Sequence, residues 1–270
     1  VIAAIFEASG AIIAGSDVVQ TISKGIVSPD SFGAPMTFVW AMLSALLAGA
    51  VWLNLATYFG APVSTTHSIV GGVVGAGVAA AGLDVVDWPS LGTIVLSWII
   101  SPVMGGAVAA LFLLVIKATI MYRPDRVAAA RRWLPILIAI MAAAFAAYLM
   151  TKGLKNIWKA PVELIAAATL AIGVAALVLT RPLIRRAAVV TVNRRKAVSK
   201  LFAAPLIVAA ALLSFAHGAN DVANAVGPLA AIVSVIEHGE MQAAVGVPIW
   251  IMVIGAVGIS AGLIIYGPRV

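Results

Sequence analysis

Charged residues in this chain come in short clusters, and the stretches between them are long and apolar. No Asp, Glu, Lys or Arg occurs from Ser31 to Leu83, Trp88 to Ile116, Trp133 to Thr151, Leu164 to Thr180, Leu201 to Asn220 or Met241 to Pro268. An ion at the centre of a bilayer is costly enough to be rare there, so these runs read as a map of buried helix. A spanning helix needs about 20 residues, and the first run is long enough to hold more than one. The pattern predicts eight or nine membrane segments in an all-α, polytopic membrane helix bundle.

Composition sharpens this reading. Apolar residues make up 63% of the 270 and charged residues 10%, against roughly 45–50% and 25% in soluble domains. The mean hydropathy is +1.12, which excludes an ordinary soluble globule. With no cysteine there is no disulfide scaffold, Cys-based zinc site or thiol nucleophile. The net charge of +7 does not argue for nucleic acid, because the basic residues sit in loops with few aromatics beside them. Lys117, Arg123, Arg126, Arg131 and Arg132 form one such loop. Lys152, Lys155 and Lys159 form the next, one span later. Arg181, Arg185, Arg186, Arg194, Arg195, Lys196 and Lys200 form the third. The positive-inside rule places the first and third on the cytoplasmic side, which is self-consistent for loops two spans apart, and puts the Lys152 loop outside. The expected location is the inner (plasma) membrane of a bacterium or archaeon, with lipid as the surrounding partner.

The chain opens on Val1-Ile2-Ala3-Ala4-Ile5, with no initiator Met and no basic flank of a signal peptide. It is expected to be a trimmed piece of a longer protein. An internal match supports that expectation. Ser9 to Val18 aligns with Ala261 to Val270 at an offset of 252 residues, with identities at Gly10, Ile12, Ile13, Gly15 and Val18. Duplicated halves with a binding site where they meet are the common plan of secondary transporters.

Two segments depart from plain apolar helix. Gly60-Ala61-Pro62-Val63-Ser64-Thr65-Thr66-His67-Ser68 places three hydroxyls after a proline, ahead of the glycine-rich Gly71 to Gly77. Such hydroxyls cap a helix start, and the N–H groups there, with the positive end of the dipole, seat an oxyanion. A bare capped helix entering the membrane accounts for the same residues. The second segment, Phe215 to Ala225, carries His217, Gly218, Asn220, Asp221 and Asn224 ahead of Val226-Gly227-Pro228. Glycine, an Asn-Asp pair and a short apolar run to Ile236 predict a broken helix or re-entrant hairpin, tolerated where it lines a cavity. Asp221 and Asn224 are three apart and share a helical face. An intramembrane Asp is a functional candidate by default, while lone histidines such as His67 and His217 are more often structural donors than proton carriers.

The stretch F-A-H-G-A-N-D-V-A-N-A-V-G-P-L-A-A-I at 215–232 resembles the signature of the inorganic phosphate transporter (PiT) family of proton- or sodium-coupled phosphate symporters. P-V-S-T-T-H-S at 62–68 resembles that family's second signature. Phe6-Glu7 with Thr21-Ile22-Ser23-Lys24-Gly25-Ile26, and Ser97-Trp98-Ile99-Ile100-Ser101-Pro102, are similar to further family segments. The resemblance implies inverted repeats, each carrying both signatures, where this chain has one of each. Residues 1–116 would then be part of a first repeat lacking its first signature. Residues 117–200 would be spans with basic cytoplasmic loops linking the repeats, and residues 201–270 the start of a second repeat lacking its second signature. The resemblance further implies that Asn220, Asp221 and Asn224 bind phosphate and the coupling cation, that Ser64, Thr65 and Thr66 donate hydroxyls to phosphate, and that Glu7 is needed for transport. Sodium, held at Asp221, or a proton would be the coupling ion, with no cofactor, inorganic phosphate as substrate and a homodimer allowed.

Physical chemistry points the same way. Hydroxyls, amides and helix N-termini without Lys or Arg suit an oxyanion held by neutral donors. The repulsion from Asp221 is removed when a cation or proton sits on the carboxylate, which couples the two. A channel would not need an acid beside an anion seat. A hydrolase pairing Ser64 with His67 or His217 would lack both a G-x-S-x-G turn and a third orienting group, so no enzyme is expected. Sulfate, isosteric with phosphate, is the rival substrate. The two signature segments are each expected at a helix break and, pairing with a twin elsewhere, need not touch.

Overall fold

The computed structural model describes residues 1–15, 25–153, 158, 160–189, 191–239 and 247–267. Outside these lie Thr21 to Lys24 of the F-E-associated segment, Lys155 and Lys159 of the middle basic loop, and Ser16 to Val18 and Pro268 to Val270 at the ends of the internal match. The described residues are helical almost throughout: α1 (Ile2–Ala14), α2 (Pro35–Tyr58), α3 (Thr65–Ala81), α4 (Trp88–Ile116), α5 (Arg126–Tyr148), α6 (Val162–Val189), α7 (Arg195–Lys200), α8 (Ala203–His238) and α9 (Ile249–Tyr266). Single π-turns, Lys117–Met121 and Leu149–Gly153, prolong α4 and α5. Among the described residues, six helices are long and apolar enough to cross a membrane, and α1 and α3 are shorter apolar helices. Eight or nine membrane segments were expected, and one departure from the expected pattern lies in α8. The re-entrant hairpin expected over 215–236 is not formed, because α8 runs unbroken for 36 residues through Gly218, the Asn-Asp pair and Pro228.

The helices divide into two compact units, Val1–Val95 with Leu213–Val270, and Leu96–Leu212. In the first, α2 stops in a Schellman arrangement: Ala61 N–H donates to the Ala56 carbonyl at 2.8 Å and Gly60 N–H to Thr57 at 3.1 Å. Gly60 takes φ +66°, a left-handed conformation that glycine adopts without penalty. Pro62 follows, and Ser64 restarts the chain as the N-cap of α3, accepting from His67 N–H at 3.3 Å. The turn therefore folds α3 back onto α2, where Gly72 lies against the Ala45 backbone. Below them, Ile26 and Val27 pair with the 85–87 segment through Ser28 N–H to Val85 O (2.8 Å) and Asp87 N–H to Ile26 O (3.0 Å).

Glycine also sets how α1 meets α8. A Cβ on Gly10 would collide with the Phe215 carbonyl, and one on Gly218 with the Glu7 backbone. Lipid tails give helices no hydrophobic drive to associate, so close approach through small residues is how such contacts form. Gly255 of α9 similarly accepts the Val222 and Val226 side chains of α8. Ser260 of α9 donates to the Ala4 carbonyl of α1 at 3.2 Å, so the helices carrying the two copies of the internal match pack on each other.

In the second unit α5 and α6 pack side by side, with Gly173 against Ala143. A small core of Ile120, Ala130 and Val198, flanked by Trp133 and Phe202, holds the loop ends together. Asn193 completes the join. Its Oδ1 accepts from Arg126 N–H at 3.0 Å and its Nδ2 donates to the Pro124 carbonyl at 2.9 Å. The first and third basic loops thus lie at the same end of this unit, as their charge pattern requires.

Candidate functional site

The two unusual sequence segments meet. Thr65 and Thr66, at the first two positions of α3, face Asp221 and Asn224, one turn apart on α8. Thr65 Oγ1 donates to Asp221 Oδ2 at 2.9 Å. Asn224 Nδ2 lies 3.2 Å from both Thr65 Oγ1 and Thr66 Oγ1 and donates to them. Asn224 is 7% exposed, and its amide is satisfied by hydroxyls carried by a segment about 160 positions away in sequence. The contact that was not required therefore exists within one unit of one chain.

A second set of contacts reaches Glu7. The Gly10–Phe215 and Gly218–Glu7 approaches bring α1 close enough for the buried Glu7 carboxylate, 7% exposed, to meet α8. His217 lies between two acids, with Nδ1 3.4 Å from Glu7 Oε1 and Nε2 3.2 Å from Asp221 Oδ2. A neutral imidazole has one N–H and one acceptor nitrogen. In that form His217 donates to one of the two acids at a time.

Glu7, Thr65, His217, Asp221 and Asn224 line one cavity of about 520 Å³, whose remaining wall is apolar and includes Leu46, Leu53 and Ile69. That is the pattern of a small-ligand site, a few convergent polar groups in an apolar cleft. Ser64 does not line this cavity; its side chain caps α3. Asn220 lies on the exposed side of α8, its Nδ2 3.4 Å from Asp221 Oδ1. His217, which was not among the expected site residues, lines the cavity. The available signal was its spacing four residues before Asp221, which puts both on one helical face; the approach of Glu7 from α1 had no such local sign.

The correction to α8 bears directly on the site. Gly218 was expected to break the helix and instead serves close packing, with Asn220, Asp221 and Asn224 projecting from continuous helix. Among the described residues, one helix N-terminus, that of α3, adjoins the cavity, at Thr65.

The chain is similar to known proteins of one family. The description "Phosphate transporter family" matches residues 1–270. A Helicobacter pylori (strain J99) protein with phosphate permease in its name is 48% identical over 271 residues, covering 99% of this chain and 51% of that protein. "Inorganic phosphate transporter 2-1, chloroplastic" of Arabidopsis thaliana is 34% identical over 298 residues, covering 99% of this chain and 50% of its own length. A solved structure titled "The sodium-dependent phosphate transporter" superposes with a TM-score of 0.91 at 33% identity, over 99% of this chain and 66% of that one. The chain spans about half the length of the curated relatives it matches first.

Proposed function

Because the chain belongs to the phosphate transporter family, we infer that it forms part of a secondary transporter that carries inorganic phosphate across a membrane together with a cation. The observation that carries this reading is the convergence of Thr65, Asp221 and Asn224 on one cavity, with Thr66 hydrogen-bonded to Asn224. Threonine hydroxyls and the first N–H groups of α3 are neutral donors for phosphate oxygens. Asp221, with Thr65 and the Asn224 amide oxygen, offers the hard oxygen donors that an alkali cation takes. Sodium is the favoured coupling ion, since the similar solved structure is sodium-dependent by title. Proton coupling draws its support from the Glu7–His217–Asp221 trio, three titratable side chains in contact. Glu7 acts in this reading as the second acid of the cation path. Ser64 shapes the start of α3, and Asn220 orients the free oxygen of Asp221.

The energetics require such a partner. Carrying a dianion into a negative interior costs about 2.3 kcal/mol per charge per 100 mV, roughly 4.6 in all, and two accompanying cations cancel that electrical term. The segments 1–116, 117–200 and 201–270 serve in this reading as parts of two inverted repeats and their link. The first and third basic loops face the cytoplasm of a bacterial or archaeal plasma membrane in this reading, and the activity is transport rather than catalysis.

The test is phosphate uptake by the intact transporter in proteoliposomes, with sodium and pH gradients imposed separately; uptake driven by neither would end the symport reading. Competition identifies the anion. Phosphate titrates near pH 6 to 7, by comparison with phosphoesters, and its remaining O–H can donate to a carboxylate, whereas sulfate offers none. Arsenate at equal concentration should inhibit uptake, and a roughly tenfold excess of sulfate should not. Equal inhibition by sulfate would assign the site to sulfate instead.

A further inference from the structure

We propose that the basic end of the Leu96–Leu212 unit binds one anionic diacyl phospholipid, with its head group on Lys117, Arg131 and Lys200 and an acyl chain in the groove between α4, α5 and α8. The groove has a volume of about 480 Å³, and its walls include Phe112 and Ile116 of α4, Ile138 and Met141 of α5, and Leu206 of α8. Its lining residues are apolar, so it offers a free anion or nucleotide no donor along its length.

Charge is gathered at its mouth by the helix geometry. Arg131, Leu134, Ile138 and Met141 recur at three- and four-residue spacing, which puts them on one face of α5, so Arg131 stands one turn above the first groove residue on that face. Lys117 directly follows Ile116, and Lys200 precedes Phe202, another groove residue. Arg131 and Lys200 are exposed and Lys117 half-buried. The acid nearest in sequence is Asp125, whose carboxylate is occupied as the α5 N-cap, accepting from Ala128 N–H at 2.9 Å. Arg126 is turned away to the Met121 carbonyl at 2.8 Å. The clamp through Asn193 adds Arg194 and Arg195 to the same end without placing another acid there. An apolar slot beneath a cluster of cations selects a molecule with an anionic head and a hydrocarbon tail. In a bilayer, that is an acidic phospholipid.

The experiment is native mass spectrometry of the detergent-purified protein titrated with dioleoylphosphatidylglycerol or dioleoylphosphatidylcholine. One phosphatidylglycerol per chain should be retained in preference to phosphatidylcholine. The double variant Lys117→Gln/Arg131→Gln should weaken it about thirtyfold, at the interaction expected of two basic residues near anionic lipid. Arg131→Lys should keep most of the affinity, which separates lost charge from lost fold. Arg185→Gln/Arg186→Gln removes two charges from α6, which lends the groove no residue, and should change the affinity by no more than about twofold. Ala209→Trp, which fills the groove, should weaken the lipid while leaving the much weaker binding of glycerol phosphate unchanged. Equal retention of the two lipids would overturn the proposal, as would an equal loss in the α6 variant. Displacement of the lipid by equimolar glycerol phosphate would also overturn it.

Discussion

At the scale of single residues, Asp221 and Thr65 decide the site. On the transport reading proposed above, Asp221→Asn keeps the shape but removes a full charge, so a bound cation would lose its counter-ion while the oxyanion would lose only a repulsion. Coupled uptake should be abolished, and more severely than by Asn224→Ala; normal cation-dependent uptake in Asp221→Asn would refute the role. Thr65 donates to Asp221 and accepts from Asn224, so Thr65→Val removes both of these hydrogen bonds, while Asn224 keeps Thr66 and Asp221 keeps its contact with His217. At about 1.5–3 kcal/mol for a hydrogen bond to a charged group, the KM for phosphate should rise about ten- to a hundredfold, and Thr65→Ser should restore it. A KM unchanged in Thr65→Val would remove this hydroxyl from the site. The residue types were legible in the sequence because a carboxylate and hydroxyls within apolar runs are conspicuous. The bridge from Glu7 through His217 was not, since it depends on a backbone approach between helices more than 200 positions apart.

At the scale of helices, glycine is used in opposite ways that sequence reading does not separate. Gly60 ends α2 with a positive φ, whereas Gly218 sits inside α8 and exists for contact. Gly218→Ala should force α1 away from α8, because the added methyl meets the Glu7 backbone rather than a side chain that can yield. Overpacking of this kind costs about 1–3 kcal/mol, to be read as a lower unfolding temperature in detergent. Gly71→Ala is the matched control. Nothing lies within 4 Å of its added Cβ, and an exposed helical glycine replaced by alanine gains up to about 1 kcal/mol. If the two variants melt alike, the close approach does not hold α1 in place. The start of α3 was readable because proline, a capping serine and a glycine stop act locally. The continuity of α8 was not, since the same Gly, Asn and Asp suit a helix break or a helix whose side chains find partners across a gap.

For the whole molecule, the charge pattern leads to a test of sidedness. The chain has no cysteine, so single cysteines can report topology directly. Tyr122→Cys and Ser199→Cys lie in the first and third basic loops, tied together by Asn193, and both should react with a membrane-impermeant thiol reagent only from the cytoplasmic side. Labelling from opposite sides would overturn that end of the fold. The sequence by itself determined the helical class, the membrane setting, the shared side of two loops and the residue types of the site. Each of these follows from the cost of burying charge or from capping and turn chemistry acting over a few residues. Only the tertiary structure decided which residues share a cavity, that α8 is unbroken and that Glu7 reaches His217. Those outcomes rest on helix-to-helix approach, which is set by where small residues let backbones touch, and apolar periodicity in lipid carries no information about which helix lies opposite.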